Sequence, residues 1–205
     1  MGNPSHETVV ARLKTIPGYR KAFKRVFGTE AFTIEHVAKA IATYERTHMS
    51  GNAPVDRFRA GETTALSAAA QRGMALFNDK ARCSRCHSGA NFTDENFHNT
   101  GIGMDKPAPD LGRYAVTKQE QHKGAFKTPT LRDIALTAPY FHDGSARTLA
   151  EVVAYYNRGG FANPTLSKEI VPLHLSAEEQ ADLVEFLRAL TGDMALDVFT
   201  PALPQ

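Results

Sequence analysis

Three residues of this sequence have the types and the spacing to bind a redox cofactor, namely Cys83, Cys86 and His87. They form the run Cys-Ser-Arg-Cys-His, and the sequence has no other cysteine. This CxxCH pattern is the attachment motif of c-type haem. Two thiols on one turn can each bond to one vinyl group of the haem edge, and the next imidazole can then reach the iron as the proximal ligand. The motif therefore predicts one covalently bound haem c.

Three other interpretations of the cysteine pair compete with haem attachment: a thioredoxin-like redox pair, half of a zinc site, and chance. A redox pair would follow a strand, whereas residues 67–77 read as a helix that runs into the motif. A zinc site would need two further ligands at similarly tight spacing, and the sequence clusters none nearby. Two cysteines three residues apart are also no disulfide framework for a chain of 205 residues. Haem attachment is the favoured interpretation.

The composition is that of an ordinary globular protein. The formal net charge is +2, and 42% of the residues are hydrophobic. This balance disfavours a strongly basic nucleic-acid binder, so we expect no nucleic-acid partner. No apolar run approaches the roughly 18 residues that a membrane-spanning helix needs, and the start of the sequence lacks the layout of a signal peptide. We expect no membrane span.

Local signals predict helices along most of the chain and no convincing β-sheet. Ser5 can cap a first helix, and a second ends at Phe27 before Gly28. A third begins after Thr33, has apolar residues at three-to-four spacing, and is expected to end near Ser50.

The later part of the chain has two well-specified helices and one long loop. Thr148 with Glu151, and Ser176 with Glu179, form capping boxes for helices over residues 149–157 and 176–190. The loop, residues 88–126, is rich in Gly, Asn, Asp and Pro, and such a loop is usually functional or wrapped around something. A short helix is expected to begin within residues 128–132. The apolar stripe of the last helix is expected to pack on the helix before the CxxCH motif.

Two segments carry a resemblance to a known family. The first is FKTPTLRDIALTAPYFHDGS, residues 126–145, and the second is TLAEVVAYYNRGG, residues 148–160. Together with the upstream CxxCH, they resemble the bacterial di-haem cytochrome c peroxidases. The run YYNRGG, residues 155–160, is more similar to the MauG branch, the methylamine-utilisation di-haem enzymes.

The resemblance implies a domain organisation and a mainly α fold. Family members have two haem domains, each with its own CxxCH, and this chain has one such motif. Residues 53–205 are expected to form the C-terminal cytochrome c-like haem domain, with long irregular haem-wrapping loops. Residues 1–52 are expected to be the helical remainder of the N-terminal peroxidatic domain, whose haem would then be missing from this chain. A genuine single-haem descendant is the alternative.

The resemblance also implies the iron ligands. His87 is expected to be the proximal ligand, and Tyr156 lies where the peroxidases carry a distal Met and the MauG branch carries Tyr. An anionic, hard phenolate favours the ferric state, whereas a thioether favours the ferrous state. Tyr155 and Met104 compete with Tyr156 for the distal position, and Tyr156 could also be a core aromatic residue. The other three methionines considered, Met49, Met74 and Met194, are expected to be packing residues.

Further site residues are expected from the same segments. Arg132 could bind a haem propionate or a local carboxylate such as Asp133. The resemblance places His142 near the haem edge that faces the other domain, with a structural His in a turn as the alternative. It also implies a calcium ion held partly by the backbone carbonyls of Thr137 and Pro139. Because calcium takes six to eight oxygen ligands, this site would need ligands from the other domain.

The remaining histidines of the loops are not expected to bind the haem iron. His98, His122 and His174 lie in loop-like sequence. We expect them to be exposed to solvent.

The function implied by the resemblance is that of the electron-transfer half of a peroxidase. Hydrogen peroxide would be reduced at the missing N-terminal haem, with electrons from a small cytochrome c or copper protein. In the MauG branch the oxidising equivalents act on a protein substrate instead. Covalent haem attachment takes place outside the bacterial cytoplasm, so a periplasmic location is expected. The alternative is a stand-alone mono-haem cytochrome that only carries electrons, and a homodimer is a further arrangement that the sequence allows.

Overall fold

The computed structural model describes residues 4–47, 49–193 and 204. These residues divide into two compact units, one N-terminal to residue 50 and the other comprising Ser50–Asp193. Each unit is described by itself. Among the described residues, none of the helices is long and apolar enough to cross a membrane.

The N-terminal unit contains three helices, α1 (His6–Lys14), α2 (Pro17–Phe27) and α3 (Ile34–Glu45). The Ser5 hydroxyl accepts a hydrogen bond from the Thr8 N–H, as the cap predicts. Gly28 ends α2 in the left-handed region, with φ of 77°.

The third helix ends at Glu45 and not near Ser50, where the sequence predicted its end. None of its twelve residues is buried. Ile41 keeps 53% of its surface exposed, so the apolar face of α3 remains largely accessible. The small core of this unit is formed instead by the stacked rings of Phe23 and Phe32, whose centroids lie 4.0 Å apart. Met49 is 80% exposed, so its prediction as a packing residue was wrong.

The larger unit is built around the packing of two capped helices. Its helices are α4 (Pro54–Arg59), α5 (Ala68–Asn78), α6 (Tyr114–Thr117), α7 (Leu149–Asn157) and α8 (Ala177–Arg188). The predicted contact between the last helix and the helix before the CxxCH motif is confirmed, because α5 packs along α8. Gly73 of α5 permits this approach, since a Cβ there would collide with the Asp182 carbonyl.

Two regions of the larger unit differ from the sequence prediction. Within the long loop, β1 (Phe97–Asn99) pairs antiparallel with β2 (Ala125–Lys127), a short sheet that was not predicted. Three-residue strands are too short to show alternation, so only the tertiary pairing reveals them. Residues 128–132 do not begin a helix, because Asp133 is left-handed, with φ of 58°, and a 3-10 helix starts only at Ile134.

The sequence prediction of a mainly helical fold is confirmed. The buried side chains of the larger unit form one cluster drawn from α4, α5, α7, α8 and the intervening loops. This cluster supports the segment that carries the CxxCH motif.

Candidate haem site

The two cysteines lie directly after α5, on a short 3-10 helix over Cys83–Arg85. The preceding Arg82 is left-handed, with φ of 55°, and this turns the chain away from the helix axis. Burial raises the pKa of the Cys83 thiol to about 12 and that of the Cys86 thiol to about 11. A reactive redox pair depends on a thiolate, whose formation a raised pKa opposes. These buried positions would suit the uncharged thioether bonds of haem c.

His87 is held in the orientation of a metal-binding imidazole. Its Nδ1 lies 3.0 Å from the carbonyl oxygen of Phe92. Burial lowers the pKa of His87, so the neutral ring is favoured. The Pro129 backbone also forms a hydrogen bond with this ring. A neutral ring that donates from Nδ1 to the Phe92 carbonyl would present the lone pair of Nε2, which is the form that ligates iron.

Tyr156 and Tyr155 are adjacent on α7, and both lie beside Thr100 and Phe141. Burial raises the pKa of Tyr156, the nearby Cys83, Tyr155 and Cys86 raise it further, and a hydrogen bond with the Thr100 side chain lowers it. The Tyr155 hydroxyl donates a hydrogen bond to the carbonyl of Thr100, at 2.9 Å. Both rings pack on Phe141 and on each other, although adjacent residues of a helix point about 100° apart. Only Tyr156 has both cysteines among the groups that shift its pKa, and its role as distal ligand stays a prediction.

Met104 is less well placed than Tyr156. Its thioether sulfur packs against Gly124, where an added Cβ would lie 2.7 Å from it. This contact belongs to the loop beside β2 and not to the surroundings of the thiols. Met74 is packed against the core, as expected. Met194 lies outside the described residues.

The apolar surroundings of Cys83 fit a large planar cofactor. Cys83 and several apolar side chains pack against the same core cluster and stay partly accessible. They come from α5, the 3-10 helix after Asp133, α7 and neighbouring loops: Met74, Leu76, Ile134, Ala135, Phe141, Val152, Tyr156 and Val171. A macrocycle laid on these groups would bury them, which is favourable. Together with two neutral thiols and an oriented imidazole, they fit haem c.

A separate cleft of about 520 Å³ lies on the Tyr155 side of α7. Phe141, Tyr155 and Arg158 are among its lining residues, and neither cysteine nor His87 contributes to the lining. Its volume is in the range of small-molecule sites. Because the thiols and the imidazole lie outside it, we assign the haem to the apolar surroundings of Cys83 and not to this cleft alone.

Arg132 has a partner that the sequence did not indicate. Its guanidinium donates two hydrogen bonds to Asp56, at 2.6 and 2.8 Å, and a third, from Nε, to the carbonyl of Ala90. Asp133 instead accepts from the Gly192 N–H, so the expected local pairing was wrong. Its guanidinium is held by Asp56 and Ala90, and a contact of Arg132 with a haem propionate stays a prediction.

His142 lies in a turn, as one of its two interpretations states. Its ring stacks on Phe126, with centroids 3.7 Å apart, and the residue is exposed. Thr137 and Pro139 are also exposed, on either side of Ala138. Two carbonyls supply only part of a calcium shell, and among the described residues no group of three or more His, Cys, Asp or Glu ligand atoms gathers at this loop.

The structure brings together a cluster that sequence reasoning missed. The Cys86 sulfur, an Asp94 oxygen and a His98 ring nitrogen lie within 4.8 Å of one another. His98 Nε2 and Asp94 Oδ2 are 2.7 Å apart. The expectation of an exposed His98 was wrong, because β1 places it half-buried, and the expectation that no ligand-type residue clusters near the cysteines was wrong as well. No local spacing relates these residues to Cys86, so no sequence signal could have revealed the cluster.

The other two loop histidines differ from each other. His174 is exposed as expected. His122 is half-buried, with its Nδ1 2.9 Å from the Thr117 hydroxyl.

Comparison with known families decides the identity of the fold around this site. Residues 1–64 match the profile of the family described as di-haem cytochrome c peroxidase, and residues 70–191 match that of cytochrome c. The chain belongs to the di-haem cytochrome c peroxidase and MauG family. The cytochrome c domain indicates haem c as the cofactor.

Relatives of this family member include enzymes of both branches. The chain is 43% identical to the methylamine utilization protein MauG of Methylorubrum extorquens, over 98% of this chain and 57% of that protein. It is 37% identical to a cytochrome-c peroxidase of Denitromonas iodatirespirans, over 99% of this chain and 62% of that protein. The chain thus spans about three fifths of the length of these relatives.

A solved structure of a MauG-like protein associated with microbial copper homeostasis also matches this family member. It superposes with a TM-score of 0.64 at 37% identity, over 69% of this chain and 52% of that one. This match supports the cytochrome c-like haem fold.

Proposed function

We propose that this chain binds one haem c through Cys83 and Cys86, with His87 as proximal and Tyr156 as distal ligand. It acts as the electron-transfer half of a di-haem enzyme that reduces hydrogen peroxide with electrons from a small redox protein. One observation carries this proposal: in the segment that holds the CxxCH motif, the Nδ1 of His87 lies 3.0 Å from the Phe92 carbonyl, which can orient the imidazole as an iron ligand. Haem c, when bound, supplies one-electron chemistry at its iron.

The chain's own residues set what this site can do. The Phe92 carbonyl makes His87 a more basic ligand, which favours the ferric state. Burial opposes ionisation of Tyr156, so the positive charge of a bound metal would be needed to stabilise the phenolate. If His87 and Tyr156 both bound the iron of a haem c, peroxide would have no coordination position at this site. We therefore propose electron transfer, and not peroxide cleavage, as the role of this site.

The partners follow from this role. The sequence carries one CxxCH motif, so the peroxidatic haem of a di-haem enzyme would be supplied from outside it. We propose a small cytochrome c or copper protein as the electron donor, hydrogen peroxide as the oxidant, and the periplasm as the compartment. The same chemistry would serve a protein substrate of the MauG kind.

Haem loading and iron ligation test this proposal together. The chain is produced with haem-maturation machinery, and the mass of the protein is measured with its absorption spectrum. We expect the mass of one haem to stay attached under denaturing conditions and a six-coordinate low-spin ferric spectrum, which a strong chemical reductant converts to that of the ferrous form. Cys83→Ser and Cys86→Ser should each lose one thioether bond, whereas Met104→Leu should leave the spectrum unchanged. A haem-free wild-type protein, or a spectrum that depends on Met104, would contradict the proposal.

A stand-alone mono-haem cytochrome is the second candidate, favoured by the single motif and by the cytochrome c match over residues 70–191. The midpoint potential distinguishes the two. A Tyr156 ligand predicts a low potential, because a hard anion stabilises ferric iron. A high potential with thioether ligation would favour the simple electron carrier.

Calcium is a further proposal at the exposed carbonyls of Thr137 and Pro139. These two oxygens would need additional ligands from water or from another domain. Calcium titration by calorimetry tests it, and we expect at most weak binding to this chain alone. Tight binding would show that the remaining ligands lie within the chain.

A further inference from the structure

The carbonyl that orients His87 belongs to a tight loop, residues 89–92, whose shape is locally strained. Phe92 is left-handed, with φ of 50°, a conformation that costs free energy in a non-glycine residue. Its ring is buried and packs edge-on against Phe77 and Phe186. The loop also returns to the motif, because the Asp94 N–H donates to the carbonyl of Cys86, at 2.8 Å. The position of the Phe92 carbonyl therefore depends on how firmly this loop is held.

Arg132 contacts both the backbone of the 89–92 loop and the side chain of Phe92, the last residue of that loop. Its Nε donates to the carbonyl of Ala90, at 2.9 Å, and its guanidinium carbon lies 5.2 Å from the centroid of the Phe92 ring. Two residues earlier, the Thr130 hydroxyl donates to the carbonyl of Asn91, at 2.6 Å. The segment around Arg132 thus contacts each of the three residues that end the loop.

Asp56 of α4 fixes the guanidinium that makes these contacts. Its carboxylate accepts one hydrogen bond from Nη1 and one from Nη2 of Arg132. The Oδ2 of Asp56 also accepts from the Ala53 N–H, at 3.0 Å. Only 11% of the Arg132 side chain is exposed, so the pair is well shielded. From the same helix, Arg59 places its guanidinium 5.1 Å from the centroid of the Phe92 ring. A lysine could not replace Arg132, because one ammonium cannot span Asp56 and Ala90 in this geometry.

We propose that Arg132, held by Asp56, is a positioning residue for the proximal imidazole: it fixes residues 90–92 so that the Phe92 carbonyl keeps its hydrogen bond with His87 Nδ1. The inference rests on the proposed role of His87 as an iron ligand. It also gives Arg132 a role through the loop, distinct from the direct haem contact suggested by the sequence. Weakening this hydrogen bond makes the imidazole a poorer donor to ferric iron, so the midpoint potential should rise.

The test compares two arginine–carboxylate pairs in the haem-loaded protein. Arg72 forms an equally bidentate pair with Asp182, with both hydrogen bonds at 2.7 Å, but it joins α5 to α8 and does not contact the 89–92 loop. The midpoint potential and the urea unfolding midpoint are measured for wild type, Arg132→Lys and Arg72→Lys. We expect both variants to lose stability and only Arg132→Lys to raise the potential.

An unchanged potential in Arg132→Lys, or an equal rise in Arg72→Lys, would overturn the inference. Should Arg132→Lys fail to load haem, Asp56→Asn decides by the same measurement, because it weakens the same pair more gently. A wild-type protein that binds no haem would refute the proposed function itself, a result independent of either variant.

Discussion

At the scale of single residues, the site depends on which of two neighbouring tyrosines faces the thiols. The Tyr155 hydroxyl donates to the Thr100 carbonyl, whereas burial and the neighbouring Cys83 and Cys86 raise the pKa of Tyr156. Both side chains come from the same turn of α7 and pack on Phe141, so the two residues are close competitors for the distal position. Replacing each tyrosine in turn with phenylalanine removes one phenol oxygen and therefore tests which residue is the distal ligand.

We predict that Tyr156→Phe opens the distal position and Tyr155→Phe does not. Loss of the phenolate should convert low-spin ferric haem to a high-spin form, which absorption and electron paramagnetic resonance spectra record. Tyr155→Phe loses only a hydrogen bond to a backbone carbonyl, worth about 1 kcal/mol, and should keep the wild-type spectrum. An unchanged spectrum in Tyr156→Phe would remove this residue as a ligand.

The lowered pKa of Asp143 leads to a second prediction at the residue scale, which concerns the pH dependence of the protein's stability. Burial raises its pKa, but hydrogen bonds from Lys106 and Ser145 outweigh this and lower the pKa to about 2. A folded-state pKa below the unfolded value means stability that is present above about pH 4 and lost as the pH falls towards 2. Compared with Asp143→Asn in urea unfolding, the wild-type advantage should therefore be constant from pH 7 to 4 and shrink below that.

Lys106, the ion-pair partner of Asp143, provides the control variant for this pH-dependent stability. Lys106→Gln removes the 2.8 Å contact to Asp143 and should abolish most of the pH dependence. An advantage that persists undiminished at pH 2 would show that the carboxylate is not stabilised as described.

At the scale of secondary structure elements, the packing of α5 on α8 positions the CxxCH motif. The motif begins a few residues after α5 ends at Asn78. Gly73 lies where the two helices approach most closely, and the buried residues of α8 include Leu183, Phe186 and Leu187. A change in this contact is transmitted directly to the segment that carries the thiols.

We predict that Gly73→Ala destabilises the protein although alanine is the better helix former. Helix propensity alone would stabilise it by about 1 kcal/mol. The added Cβ would collide with the Asp182 carbonyl and the Phe186 Cβ, and overpacking of this kind costs about 1–3 kcal/mol or more. Urea unfolding measures the net effect.

Gly51→Ala is the matched control for this contact. An added Cβ there meets no heavy atom within 4 Å, so the substitution should change stability little. A Gly73→Ala protein as stable as wild type would show that the helices can separate at no cost.

At the scale of the whole molecule, this chain covers 57% of the MauG relative and carries one haem motif. The proposed site has both axial positions filled by protein ligands. The chain is accordingly proposed to move electrons and not to bind peroxide.

We predict that the haem-loaded chain by itself does not turn over hydrogen peroxide with a reduced small cytochrome as donor. The Tyr156→Phe protein, with its distal position open, serves as the positive comparison and should gain peroxide-dependent changes in its spectrum. Turnover by the wild-type chain, measured as oxidation of the donor, would mean that its iron has an accessible position and that the electron-transfer assignment is wrong.

The sequence by itself determined the features that depend on near neighbours. CxxCH places two thiols and an imidazole within one turn, and the capping residues Ser5, Thr148 and Ser176 set where three helices begin. The mainly helical fold follows from such local patterns and from the family resemblance.

Only the tertiary structure decided the contacts between residues far apart in the chain. Arg132 and Asp56 are separated by 76 residues, and the strand that carries His98, Phe97–Asn99, pairs with Ala125–Lys127. Neither pairing leaves a periodic signal, because each depends on how loops close over the core and not on the conformation of one segment. Burial likewise depends on what packs against a helix and not on its own periodicity: α3 has apolar residues at three-to-four spacing, and none of its residues is buried.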